Sequence, residues 1–217
     1  MGSKVKSVKK GKTQITDLKT HMKSYASKID VVSDELKKMM KGNGTDAYWQ
    51  GANAYDWYTM AYTYLNKIVG NYKNSYNEFA DYATLYARAK AKSNEKIKKS
   101  TLKLIDGTTF TTGVKKNVDS KKITSIPATV NKDASNDDQT TSSYATFRKM
   151  KDALNSLVSI TNKLSNDWKN VAANTTGKMH SDAVNRQKYM NNRKGEISRT
   201  LRELDENYIG DMLFSKK

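Results

Sequence analysis

Few residues in this chain have the type and spacing that covalent or metal chemistry needs. There is no Cys, so thiol nucleophiles, thiolate metal sites and disulfides are excluded. The only histidines, His21 and His180, fall on separate predicted helices without ligand-type neighbours, and read as surface or boundary imidazoles. Gly42-Asn43-Gly44-Thr45-Asp46 looks like a phosphate or calcium loop. It lacks both the Lys-Ser/Thr pair of the first and the acidic repeat of the second, and reads as a turn. Asp137-Asp138 is a solvated pair, no carboxylates are spaced for glycoside chemistry, and no Ser stands in a nucleophile elbow. The expectation is a protein that is not an enzyme, with no cofactor and no metal.

The chemistry left is burial of apolar and aromatic side chains, and the spacing of those residues names the elements that carry them. Ile15, Leu18, Met22, Tyr25, Ile29, Val32, Leu36 and Met39 alternate at three and four, which puts them on one helical stripe. Gly42 and Gly44 end that segment. A second stripe follows with Ala54, Tyr58, Ala61, Leu65, Ile68, Tyr72, Ser75, Phe79, Tyr82 and Tyr86. A helix of about 40 residues is roughly 60 Å long and must bury its stripe on a partner. The short turn between the two makes them antiparallel. The rhythm returns in Phe147, Met150, Leu154, Leu157, Thr161, Leu164 and Trp168. It returns again in Met190, Ile197, Leu201, Leu204 and Tyr208, with a polar gap near Arg193 and Lys194 and a second turn at Gly177.

Between the hairpins the pattern breaks. Leu102, Leu104 and Phe110 flank Asp106-Gly107, a two-residue turn signal for a small β-hairpin, and Ile123 to Val130 is a second β-like stretch holding the only Pro, Pro127. Residues 131–142 read as a flexible tether. The predicted organisation is a basic flexible tail over 1–12, a first helical hairpin over 13–98, a polar linker with a short β-hairpin over 99–142, and a second hairpin over 143–217. The expected fold is all-α: two long antiparallel hairpins forming an elongated four-helix bundle.

Charge narrows the partners only a little. The formal net charge is +17, and residues 1–12 hold five Lys and no acid. Elsewhere Lys is mixed with Asp and Glu, which reads as solvated helix surface. No apolar run approaches the roughly 20 residues of a membrane span, and the basic N-terminus lacks the apolar stretch of a secretory signal.

The turn between the first two helices reads Ala47-Tyr48-Trp49-Gln50-Gly51-Ala52-Asn53-Ala54. With the Tyr, Leu and Phe-rich helix after it, through Phe79-Ala80-Asp81-Tyr82, this resembles the Trp-X-Gly superfamily of type VII secretion substrates and their small helical partner proteins. The resemblance covers residues 13 to about 98. It extends more loosely to 143–217, where Trp168-Lys169-Asn170 stands at the same place with Asn for Gly. It implies that the two hairpins pair as a fused form of the family's dimer, with the turn helping to form a groove at one end. Members often carry Tyr followed four residues later by Asp or Glu beyond the second helix. No Tyr here has that spacing, and Tyr208 has Asp211 three residues on, so export would lean on a partner that supplies the signal.

The functional expectation is non-catalytic protein–protein recognition in type VII secretion, as a secreted helical substrate or as a targeting partner of a larger secreted toxin. The chain would be cytoplasmic before export and then secreted or at the cell surface. The partner would be another helical protein or a second copy. Trp49, Gly51, Tyr58, Tyr62, Phe79 and Trp168 are the interface candidates. Tyr62, Tyr64 and Tyr76 lie off the main stripe and suggest a second aromatic face, since Tyr is enriched at binding hot spots. The alternatives are a basic binder of nucleic acid or membrane surface, and a structural bundle of a phage or surface apparatus.

Overall fold

The computed structural model describes residues 2–93, 114–134 and 140–208. Over these residues the chain is all-helical without a strand, and the helices pack as a bundle. Four long helices appear: α1 Gly2–Lys41, α2 Ala52–Ser93, α3 Thr141–Ala173 and α4 Gly177–Glu206. A single 3-10 turn spans Asp119–Lys121. The stripes expected from spacing are the cores of these helices. Ile15, Leu18, Met22, Tyr25, Ile29, Leu36 and Met39 are each at most 1 % exposed. No described helix is long and apolar enough to cross a membrane.

The helix ends follow from local chemistry. α1 stops at Gly42, whose φ of +56° is left-handed and whose N–H donates to Lys38 O at 2.9 Å. A Cβ there would stand 1.8 Å from Asp46 O, so only Gly fits. Asn43 Oδ1 then accepts from the N–H groups of Thr45 and Asp46 at 3.0 and 2.9 Å, so this stretch is a turn. α3 is capped by Thr140, whose Oγ1 accepts from Ser143 N at 3.0 Å. The helix α1 starts at Gly2, so the segment expected as a tail is where this helix begins.

The chain forms two compact units, and each takes part of every helix. The first comprises Met1–Ala26, Asn71–Asn117 and Ser159–Lys194; the second comprises Ser27–Gly70, Val118–Val158 and Gly195–Lys217. Both hairpins contribute to each. In the first unit Gln14 of α1 donates to Asn170 O of α3, and Arg193 of α4 holds Glu78 of α2. In the second unit the indole N–H of Trp57 on α2 donates to Leu204 O on α4 at 3.0 Å. The hairpins therefore pair within one chain.

Two expectations are corrected. Ile123 to Val130 forms no strand. Asn66 takes the N–H and carbonyl of Ile123, Val130 N donates to Pro127 O, and Ala47 N takes Thr129 O, so these groups are paired without a second strand. The hairpin expected around Asp106-Gly107 lies outside the described residues. Trp168-Lys169-Asn170 is not at a turn either. All three residues lie within α3, and among described residues no residue other than Gly has a positive φ. The helical stripe simply continues through Trp168, and the chain reverses at 174–176 before Gly177, as the Gly itself signals.

Candidate functional site

The bend around Trp49 is built from three parts of the sequence. Gly51 has a φ of +99°, a left-handed value that favours Gly, and its N–H donates to Asn131 O at 2.9 Å. Ala47 N donates to Thr129 O at 2.8 Å, and Thr140 Oγ1 donates to Tyr48 O at 2.9 Å. Trp49 is 1 % exposed. Its ring lies 5.7 Å from Trp57, 6.1 Å from Tyr58 and 5.2 Å from Tyr208, and the rings of Tyr208 and Phe147 stack at 4.0 Å. The polar tips are met inside the cluster. Tyr58 donates to Trp49 O at 3.1 Å, and Tyr208 shares a 2.7 Å bond with Ser143 Oγ. Burial pushes the Tyr58 phenol far above its ordinary range, and the Tyr208 phenol raises it further. This hydroxyl is a structural donor, bonded to Trp49 O.

The six interface candidates thus fall in different places. Trp49, Gly51 and Tyr58 come together at the bend, in the second unit. Phe79 and Trp168 belong to the first unit, where both are buried; Trp168 lies 5.5 Å from the Tyr82 ring, with Arg186 5.0 Å from its centroid. Tyr62 is half-buried on α2, as is Tyr64, and Tyr76 is buried. Five of the six candidates are therefore occupied within this chain. Trp57 escaped the sequence reading although it is one of three Trp; it stands beside Tyr58, a position that widens the stripe.

The second face of the α1–α2 hairpin does receive something: residues 118–132 of this same chain. Asn66 uses both ends of its amide on one residue, donating to Ile123 O at 2.8 Å and accepting from Ile123 N at 3.0 Å. Ser33 donates to Lys121 O at 2.8 Å, and Lys121 Nζ lies 3.0 Å from Asp34 and 3.9 Å from Asp30. Thr129 donates to Met40 O at 2.7 Å, and Lys132 sits 5.1 Å from the Tyr55 ring centroid. Val118, Ile123 and Val130 are buried. By helical register Tyr55, Tyr62 and Asn66 share one side of α2. Of the off-stripe aromatics expected at an interface, Tyr62 thus shares its helix face with Asn66, which holds the linker.

His21 Nδ1 and Asp167 Oδ2 share a 2.5 Å hydrogen bond, and His180 Nδ1 donates to Ala172 O at 2.8 Å. Burial holds the Asp167 carboxyl above the usual range, His21 opposes that shift, and Asp17 adds to it. Among the described residues no three His, Cys, Asp or Glu are grouped to hold a metal. No family model, no curated protein and no solved structure matches the chain.

Proposed function

We propose that this chain is a non-catalytic helical recognition protein of type VII secretion, acting as a secreted helical substrate or as the targeting partner of a larger secreted toxin. The observation that carries this reading is the Trp-X-Gly bend: Trp49-Gln50-Gly51 between helices of 40 and 42 residues, with Gly51 left-handed. Trp49, Tyr58, Phe79 and Trp168 are buried in the chain's own core. A helical partner therefore meets outer helix faces, not the aromatic stripes, and Tyr62 is the candidate residue best placed to touch it.

The test is export. A tagged chain is expressed in a host with a working type VII apparatus and in one lacking its ATPase, alone and with the products of neighbouring genes. Release that depends on the ATPase, alone or with one partner, is expected. Retention in every combination would remove the reading. The net charge of +17 favours a second one, a basic binder of nucleic acid. Its signature is affinity that falls by roughly 10³-fold or more between 50 and 200 mM salt when about six phosphates are contacted.

A further inference from the structure

Lys is not mixed with acids everywhere. In the first unit, residues 159–194 of α3 and α4 hold seven Lys and Arg against two Asp, whereas residues 13–26 and 71–84 of α1 and α2 hold three Lys against three acids. Both Asp and one of the cations are engaged elsewhere. Asp167 is bonded to His21 of α1, and Arg193 to Glu78 of α2. Asp182 is seven residues from Tyr189, whose ring centroid lies 5.9 Å from Arg193, so it shares that α2-facing side. The outward rows are free of acid. Asn162, Asn166 and Lys169 follow one another at four and three along α3, as do Val184, Lys188 and Asn191 along α4, and all six are exposed. Lys194 Nζ donates to Asn162 Oδ1 at 3.1 Å and Ser165 Oγ donates to Asn191 Oδ1 at 2.8 Å, which sets the two rows side by side.

We propose that this α3–α4 face binds the phosphate backbone of double-stranded nucleic acid, with Lys169, Lys188 and Lys194 as its cations. Lys supplies a point charge on a flexible stem, and Asn and Gln amides donate to phosphate and sugar oxygens. Gln187, beside Lys188 and seven residues before Lys194, adds a further amide to the face. An anionic lipid surface fits less well. A helix that lies on a membrane sinks Trp, Phe or Leu into it, and the outward residues here are amides, Lys and one Val. A single strand also fits less well, because its bases stack on aromatic rings and neither row holds one. Contacts to phosphate carry no sequence information, so the face takes duplexes of any sequence. Such a face deepens the second reading above, a basic binder of nucleic acid, and rests on it; it is independent of export.

The probe is a fluorescent duplex of about 20 base pairs and mixed sequence, titrated by anisotropy with the full-length chain from about 50 to about 200 mM salt. Each phosphate contact contributes about −0.9 to the slope of log K against log salt. Lys169→Gln, Lys188→Gln and Lys194→Gln together are expected to weaken binding at least roughly tenfold at about 100 mM salt and to flatten the slope by about 3. The control removes the same charge from α1 as Lys23→Gln, Lys38→Gln and Lys41→Gln, all exposed, and should leave the slope within about 1 of the wild type. Equal losses in the two triples would mean that net charge alone drives binding, and would overturn the face. An unchanged first triple overturns it as well, while wild-type binding keeps the nucleic-acid reading standing. No binding by the wild type at about 50 mM salt removes that reading and the face together. Capture by phosphatidylserine vesicles without capture by the duplex would make a membrane the partner and overturn the assignment.

Discussion

In the second unit Trp49, Trp57, Phe147 and Tyr208 meet in a cluster, and every buried polar side chain there is a Ser or Thr: Ser33, Ser143, Thr146 and Thr200. The first unit is made from the same four helices, yet it closes Gln14, Asp167 and Arg193 away from solvent. One set of helices thus carries two kinds of core. Rings tolerate many neighbours and gain by area. Charges demand particular partners and so fix which helix faces meet. Arg193 forks onto Glu78 with two 2.8 Å bonds and adds a third to Ser75 Oγ. The polar gap in the α4 stripe is that anchor.

The comparison breaks or sharpens under substitution. Trp49→Ala is expected to cost about 5 kcal/mol and Trp168→Ala about 3 kcal/mol, measured by urea denaturation. Among the described residues Trp49 stands near three other rings, whereas Trp168 stands near one ring and a cation. A larger loss at Trp168 would reverse the assignment of aromatic packing to the second unit. Next, Arg193→Ala costs about 3 kcal/mol by stranding the Glu78 carboxylate, while Arg193→Met with Glu78→Leu costs less than about 1. In the second unit Lys151–Asp205, with side chains near one-third exposed, should cost under ~1 kcal/mol on removal of Lys151. Equal losses at Arg193 and Lys151 would erase the contrast.

Asp167 gives a pH-dependent version. Its folded carboxyl is held above the ordinary range, chiefly by burial. The fold therefore favours the protonated form, and that contribution is present below the ordinary pKa and lost as pH rises through the raised one. Asp167→Asn, which keeps an acceptor for His21, should gain on the wild type in melting temperature from about pH 4 to about pH 7. A gap that shrinks over that range would contradict this. The smallest effect is expected at Gly70, a helical position where a Cβ meets nothing within 4 Å. Gly70→Ala should stabilise by about 0.5–1 kcal/mol, and a loss would reveal a packing demand there.

Spacing made the helices legible because a stripe is a local property: residues three and four apart decide it. The end of α1 was legible for the same reason, through Gly42 and Gly44. Trp168 was misplaced because a three-residue likeness was set above a stripe that ran straight through it, although Gly177 already marked the reversal. The β-like reading of Ile123 to Val130 rested on propensity, and what decided the segment was Asn66, 57 residues away. Nothing local to either residue announces that clasp. The same holds for Arg193 and Glu78, 115 residues apart, where sequence showed the interruption but not its partner.

The bond from Trp57 to Leu204 joins residues 147 apart. Synthesis at about 5–20 residues per second separates their emergence from the ribosome by roughly 7–30 s. Until Thr129 and Asn131 are made, the first hairpin lacks groups that finish its bend, and Tyr208 follows later still. A nascent chain of this design presents its Trp pair until Phe147 and Tyr208 arrive to cover it.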